Sequence, residues 1–122
     1  MLTASLLNAE ACCRAAIQLK RDIVILCAGS HDEFAIEDGL CAGLLIDQLL
    51  ALCPAVVEME DFGTTMLSLY RNRAGELADT ITRGSSGRRL TKLGMKHDIA
   101  ACVQIDKYQE APRLIGDQLV RG

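Results

Sequence analysis

Two adjacent acids, Glu37 and Asp38, follow an apolar segment and a short polar loop. The apolar segment, residues 23–28, has the length and the Ile, Val and Leu content of a buried strand. In open α/β sheets, binding sites lie where strands end and helices begin. Carboxylate oxygens there suit Mg²⁺, which keeps water at its remaining positions. The alternative is that both acids favour the first turn of a helix through its dipole, an effect of about 0.3–1 kcal/mol.

A cysteine ends the same apolar segment. Cys27 could act as a nucleophile if a nearby cation or helix terminus lowered its pKa, and packing is the alternative role. The chain has six cysteines, most of them inside apolar runs: Cys12, Cys13, Cys27, Cys41, Cys53 and Cys102. This placement favours free thiols over disulfides.

The basic residues gather in one place, around a Ser-Gly loop and the start of a predicted helix: Arg83, Arg88, Arg89 and Lys92. Backbone N–H groups and a guanidinium there could bind a phosphate or a sulfonate. A solvated basic turn is the alternative. The two histidines, His31 and His97, are far apart in sequence and belong to no zinc-ligand motif.

Composition limits the possible classes of protein. The chain has 122 residues, half of them hydrophobic, which predicts one domain covering residues 1–122 with a single core. A net charge of −3 without a basic tail argues against nucleic-acid binding. The most apolar region, residues 40–57, is interrupted by polar residues and Pro54, so no membrane span is expected. No signal peptide is recognised at the amino terminus, and we expect a cytoplasmic protein.

The hydrophobic pattern predicts mainly helices. The first is expected from a Ser5 or Asn8 cap to about Lys20, and the second over residues 36–52, with a stop at Pro54. Further helices are expected over residues 58–82 and over 87–94, the latter with a serine cap. A single helical turn near residue 97 is expected to precede a short strand. Residues 113–120 predict a hairpin around Gly-Asp. With residues 22–28 as a central parallel strand flanked by helices, the fold class is a layered α/β sheet. Because one such strand lacks partners, either residues 2–4 are the tail of another strand or other polypeptide completes the sheet, as expected of an incomplete half of a larger α/β domain.

Several sequence motifs carry a family resemblance. The segments ASLLNAEA, ILCAG, FAIEDGLCAG, GRRLTKLG and DIAACVQIDKYQEAP occur in an order that resembles the C-terminal half of the 2-phosphosulfolactate phosphatases, from about Thr3 to Pro112. These are Mg²⁺-dependent enzymes of the coenzyme M pathway. The resemblance implies hydrolysis of a small phosphate monoester such as 2-phosphosulfolactate.

The resemblance also implies roles for individual residues. Cys27, Glu37 and Asp38 become catalytic candidates, with Glu37 or Asp38 binding Mg²⁺ directly or through water. Three further residues would bind the phosphoryl oxygens: Asn8, Ser30 and Arg88. Asp98 and Asp106 also match positions in the family, although we favour a capping role for Asp98 and a turn role for Asp106.

The chain departs from the family pattern in three respects. Nothing in it corresponds to the N-terminal half of the family, which implies a homo-oligomer or a separate N-terminal half as partner. Ala35 and Ile36 replace a hydroxyl-bearing cap, at a cost of about 1 kcal/mol. Residues 31–33 crowd a loop that is glycine-rich in relatives. The alternative to a phosphatase is therefore a noncatalytic remnant or an assembly subunit.

Overall fold

The computed structural model describes residues 1–53 and 58–122. This part of the chain is mixed α/β and mostly helical. Its helices are α1 Ala9–Gln18, α2 Ile36–Leu52, α3 Asp61–Arg73, α4 Leu77–Arg83, α5 Ser85–Lys92 and α6 His97–Cys102, with 3₁₀ turns at Leu6–Asn8 and Ala74–Glu76. Strands β1 Arg113–Ile115 and β2 Gln118–Val120 form an antiparallel pair. None of the described helices is long and apolar enough to cross a lipid bilayer.

Helix α2 is the centre of the core. Its sequence is apolar on nearly all sides, so several neighbours can bury it. It packs against α1, α3 and α4. Leu40 in α2 is fully buried, and the core around it contains Leu44, Leu45, Tyr70 of α3 and Ile81 of α4.

Two glycines allow α3 to approach α2 closely. A Cβ atom on Gly43 would lie 2.2 Å from the Met66 carbonyl oxygen and 2.5 Å from the Tyr70 Cβ. A Cβ atom on Gly39 would lie 2.8 Å from the Met66 sulfur atom of α3 and 2.6 Å from Phe34 Cζ in the loop before α2. Side chains at these positions would push the two helices apart, so the sequence of α2 fixes their separation.

The predicted hairpin is confirmed. β1 and β2 pair from Arg113 opposite Val120 to Ile115 opposite Gln118, and Gly116 in the turn has a φ of 61°. A positive φ of this kind is one that glycine adopts without steric cost. The amino-terminal residues run beside β1, where Leu2 bridges to Arg113.

The predicted central parallel strand is not found. Within the described residues, 22–28 belong to no strand, and the side chains of Val24 and Leu26 are 89% and 87% exposed. Ile25 alone of these three packs against the core. A central strand needs a paired strand at each edge, and the described part of the chain supplies neither. The coarse α/β assignment holds, with a small antiparallel sheet in place of a layered parallel one.

The predicted long helix over 58–82 is two helices. A 3₁₀ turn at Ala74–Glu76 separates α3 from α4, and Gly75 is the residue of that turn with the weakest helix propensity. The apolar face continues across the break through Leu69, Leu77 and Ile81, which explains why periodicity did not reveal it. Pro54, the predicted stop for α2, lies outside the described residues.

Other predicted boundaries move by a few residues. Ser5 caps the 3₁₀ turn before α1, where its Oγ accepts a hydrogen bond from Leu7 N at 3.2 Å. α1 ends at Gln18, and α5 begins at Ser85 and ends at Lys92, so the predicted serine cap is wrong and Gly84 is the N-cap residue. α6 replaces the single predicted turn, and the short strand expected after it is absent from the described residues.

The α2–α3 contact predicts a matched pair of glycine variants. Gly43→Ala should lower the free energy of unfolding by about 1–3 kcal/mol, because the new methyl group overlaps the α3 backbone. Gly75→Ala is the control, since a Cβ atom there meets nothing within 4 Å, and it should change stability by less than about 1 kcal/mol. Urea unfolding followed by circular dichroism measures both. Equal stabilities would contradict the close packing.

Candidate functional site

A tight turn follows the exposed segment 22–28. Ser30 N donates to the Glu33 carbonyl oxygen at 2.9 Å, and Glu33 N donates to the Ser30 carbonyl oxygen at 3.0 Å. The two central residues, His31 and Asp32, have φ values of 52° and 60°. Positive φ at both positions is the pattern of a type I′ turn, which reverses the chain within two residues. The turn places Ser30 and His31 beside the start of α2.

A second tight turn joins α4 to α5. A Cβ atom on Gly87 would lie 2.0 Å from the Ile81 carbonyl oxygen, so the first turn of α5 lies directly on the end of α4. The Arg88 guanidinium donates to the Arg83 carbonyl oxygen and lies 3.5 Å from Ser85 Oγ. These contacts hold the arginine at the amino end of α5, where the first helical N–H groups lack partners within the helix.

A cleft of about 710 Å³ lies between these two turns. It brings together three of the predicted site residues: Ser30, Glu37 and Arg88. The Ser85 and Ser86 residues of α5 line it as well. The cleft therefore combines a hydroxyl, a guanidinium, a helix amino terminus and a carboxylate, groups that together can hold an anion and a cation.

Two residues outside the predicted set also reach the cleft. A guanidinium N–H of Arg89 donates to Nε2 of His31, which links α5 to the turn after segment 22–28. In the sequence, Arg89 belongs to the basic cluster, whereas His31 lies in the loop after the apolar segment and matches no zinc-ligand motif. Because 58 positions separate the two residues, no spacing rule could have paired them.

The two adjacent acids have different surroundings. Glu37 lines the cleft, and its Oε2 atom is buried without a hydrogen-bond partner among the described residues. Asp38 is not among the residues that line the cleft, and its Oδ2 atom accepts a hydrogen bond from Gly29 N at 2.6 Å. Asp38 therefore tethers the loop to α2, while Glu37 keeps a buried oxygen without a hydrogen-bond partner among the described residues.

A divalent cation fits the Glu37 oxygen in chemical terms. A buried carboxylate oxygen without a donor is costly, and a hard cation would satisfy it. Within residues 1–53 and 58–122, no group of three or more His, Cys, Asp or Glu side chains is arranged to hold a metal ion. Mg²⁺ is often bound by one or two carboxylates plus water and substrate phosphate, so Glu37 is the candidate ligand from this chain.

Asn8 is engaged inside the fold. Its Nδ2 atom donates to the carbonyl oxygens of Thr3 at 3.2 Å and Glu110 at 3.0 Å. Its Oδ1 atom accepts from the backbone N of Ser5 at 2.8 Å and from the Ser5 hydroxyl at 3.1 Å. Both donors of the amide are used, so in this structure Asn8 has none for a phosphoryl oxygen. Asn8 instead joins the amino-terminal segment to a segment about 100 residues away.

Cys27 lies outside the cleft lining and is partly buried. Burial, and then the negative charge of Asp38, raise the pKa of its thiol. A nucleophilic cysteine needs the opposite shift, because the thiolate is the reactive form. The surroundings of Cys27 therefore favour a neutral packing thiol.

The other cysteines fit the predicted pattern of free thiols. All six are free, and Cys12 and Cys13 are buried. Burial is the main cause that raises the pKa of Cys13 and of Cys41 to about 12. Cys102 is exposed.

Asp98 and Asp106, the two aspartates noted from the resemblance, lie in a helix and a turn of the fold and outside the cleft lining. Asp106, with a φ of 55°, is a turn residue; its Oδ1 atom accepts from Glu10 N at 2.7 Å, and its Oδ2 atom accepts from Gln48 Nε2 at 2.7 Å. Asp106 thus caps the amino end of α1 from a distant part of the sequence, and its hydrogen bond to Gln48 joins α1 to α2. Asp98 lies inside the first turn of α6 beside His97 and does not cap that helix.

These features define a mixed α/β chain with a cleft suited to a small anion. The family model described as 2-phosphosulpholactate phosphatase matches residues 1–116. The chain therefore belongs to the 2-phosphosulfolactate phosphatase family.

Curated relatives show the same similarity. A probable 2-phosphosulfolactate phosphatase of Symbiobacterium thermophilum is 38% identical over 117 residues, which are 96% of this chain and 50% of that protein. One from Caldanaerobacter subterraneus subsp. tengcongensis is 34% identical over 89% of this chain and 44% of that protein. One from Clostridium acetobutylicum is 27% identical over 98% of this chain and 50% of that protein. The chain thus spans about half the length of the relatives it matches.

The hydrogen bonds of Asn8 predict a structural role. Asn8→Ala should lower the free energy of unfolding by about 1–3 kcal/mol, because the part-buried hydrogen bonds from Asn8 Nδ2 to the Thr3 and Glu110 carbonyl oxygens are lost. Gln109→Ala is the control, since this exposed amide makes one hydrogen bond of 3.2 Å to the Asp106 carbonyl oxygen, and its loss should cost less than about 0.5 kcal/mol. Denaturant unfolding measures both. A wild-type stability for Asn8→Ala would contradict the structural role.

The thiol surroundings predict an order of alkylation. With iodoacetamide at pH 8, Cys102 should be modified first, Cys27 more slowly, and Cys13 and Cys41 after unfolding, because thiolates react and burial raises the pKa of the last three. Labelling of Cys27 should increase as the pH is raised further. Peptide mass spectrometry gives the rates. Faster labelling of Cys27 than of Cys102 at pH 7 would indicate an activated nucleophile.

Proposed function

We propose that this chain forms part of a Mg²⁺-dependent phosphatase that hydrolyses a small phosphate monoester such as 2-phosphosulfolactate to sulfolactate and phosphate. The observation that carries the proposal is the convergence of Ser30, Glu37 and Arg88 on one cleft in a member of this family. The names of the relatives supply the substrate class.

The phosphoryl group would lie at the amino end of α5. The Arg88 guanidinium and the first N–H groups of α5 would bind its oxygens, and the Ser30 hydroxyl would donate from the opposite wall. These groups stabilise the negative charge that the oxygens carry as the ester bond breaks. They also hold the phosphorus atom in line with an attacking water molecule.

Glu37 would hold the metal ion through its buried oxygen. Mg²⁺ held there would supply Lewis-acid polarisation of the phosphoryl group and orientation of the attacking water. Water adds its oxygen to phosphorus, the bond from phosphorus to the ester oxygen breaks, and the alcohol leaves with a proton. Asp38 acts through the loop, since its hydrogen bond to Gly29 N positions the segment that carries Ser30.

The substrate end away from phosphorus would meet His31 and Arg89. Arg89 lines the same cleft as Arg88, so two guanidinium groups face one space. A substrate with a second anionic group, a sulfonate or a carboxylate, matches this arrangement better than a singly charged ester does. Six free thiols fit a reducing compartment, and we place the activity in the cytoplasm.

The rest of the site would come from the half of the family chain that this sequence does not match. Glu37 is the single metal ligand proposed from this chain, and relatives of twice the length have room for further ligands. An assembly subunit without activity is the second candidate function. The exposed apolar side chains of Val24 and Leu26 favour it, because they are suited to contact with another polypeptide.

A chimera tests the catalytic proposal. In it, this chain replaces the matched 117-residue segment of the Symbiobacterium thermophilum relative. Phosphate release from 2-phosphosulfolactate should require Mg²⁺, stop with EDTA and return when Mg²⁺ is added in excess. Glu37→Gln and Arg88→Gln should each lower kcat/KM by about 10²–10³, the range seen when one charge-stabilising group is removed.

Two exposed residues away from the cleft provide matched controls. Asp79→Asn and Arg73→Gln remove charges from surface ion pairs and should leave kcat/KM within about twofold of the parent chimera. An active chimera in which the Glu37 and Arg88 variants behave like these controls would remove the cleft from the mechanism. An inactive, folded chimera would favour the assembly subunit.

A further inference from the structure

We propose that residues 23–28 are a docking strand, to which β-strands of the polypeptide equivalent to the unmatched half of the relatives add at both edges. The inference rests on the part of the proposed function in which a second half completes the site. It identifies the surface at which that half binds.

The docking strand has the side-chain alternation of a strand in a sheet. Val24 and Leu26 are 89% and 87% exposed, whereas Ile25 between them packs against the core and Cys27 is partly buried. Alternate residues of a strand point to opposite faces. The face of Ile25 and Cys27 is therefore partly covered by this chain, with Ile23 at its start 45% exposed, and the other face presents Val24 and Leu26 to solvent.

The backbone of the docking strand is also unpaired. Within residues 1–53 and 58–122, no backbone hydrogen bond joins residues 22–28 to another segment, and the first one after them is that of Gly29 N with Asp38. A sequence rich in Ile, Val and Leu with open edges readily adds strands from another polypeptide. Apolar side chains at this exposure indicate that the outer face is covered in the assembled protein.

The unmatched half of the relatives fits this surface better than a second copy does. The chain matches 50% of the Symbiobacterium thermophilum protein, so an equal length of family chain has no counterpart in it. A central strand needs neighbours at two edges and a layer over its outer face. Two identical copies joined edge to edge give each docking strand one neighbour and leave the outer face open, whereas a half of about 117 residues can supply all three.

The position of the docking strand links assembly to the cleft. Its last residue, Ala28, is followed by Gly29, whose N–H bonds to Asp38, and then by Ser30 of the cleft. A strand fixed at both edges holds its carboxyl end in place. Addition of strands therefore also positions the turn that carries Ser30 and His31.

Co-expression tests the proposal without any assay of activity. The tagged chain is expressed with the unmatched half of the Symbiobacterium thermophilum relative as a separate polypeptide, and light scattering after size exclusion should give a 1:1 complex. Hydrogen exchange of residues 23–28 should be at least about tenfold slower in the complex than in the isolated chain, because edge pairing protects these amides.

Paired variants locate the contact. Val24→Asp together with Leu26→Asp should abolish the complex, while Ile115→Asp together with Leu119→Asp, two exposed positions of the hairpin, should leave it intact. The four side chains are exposed, so the melting temperatures of both variant chains should stay close to that of the parent. Circular dichroism checks this before binding is measured.

Three results would overturn the proposal. They are the absence of a complex, a complex that survives the Val24 and Leu26 substitutions, and a stable homodimer of this chain that the same substitutions dissociate. The last result would assign the surface to a second copy. Because binding and phosphate release are separate readouts, an intact complex beside an inactive chimera would reject the catalytic proposal alone.

Discussion

Burial of α2 on nearly all of its sides is the constraint on which the rest of this structure depends. Its apolar circumference lets α1, α3 and α4 pack around it, and Gly43 permits the α3 backbone to come within van der Waals contact. The same helix starts with Glu37 and Asp38, so packing of its middle fixes the position of its acidic end. A change in the packing of α2 would consequently also move the cleft residues at its amino end.

The cleft is a product of two tight turns that meet across the start of α2. One turn uses left-handed backbone at His31 and Asp32, and the other uses Gly87 to bring α5 onto α4. Neither turn contributes much to the core, yet together they set the space between Ser30 and Arg88. Charges of both signs line this space, which is the condition for binding a metal-bound anion.

The exposed docking strand and the half-length match to relatives have the same explanation, namely a sheet that further polypeptide completes. The apolar composition of residues 23–28 belongs to a buried strand, and the described part of the chain covers one of its faces. A structure with paired strands on both edges requires more polypeptide than the helices and the hairpin provide. The sheet and the cleft would then be completed by the same association.

Local pattern was sufficient for α2, α5 and the 113–120 hairpin, because apolar period and turn residues act over a few positions. It was also sufficient for the family, through motifs quoted in order. It failed where distant residues meet. The amide of Asn8 donates to the carbonyl oxygens of Thr3 and Glu110, and Arg89 donates to His31 across 58 positions. Local pattern also failed at the helix break near Gly75, because the apolar face continues across that break.

Glu37 and Asp38 show most clearly which properties follow from the sequence and which depend on the tertiary structure. Their adjacency and their place in the first turn of a helix follow from sequence, since helix propensity and the dipole are local effects. Their division into a loop tether and a cleft carboxylate depends on where Gly29 and α5 lie in space. A one-dimensional pattern encodes which elements form, whereas partners of a side chain depend on how those elements pack.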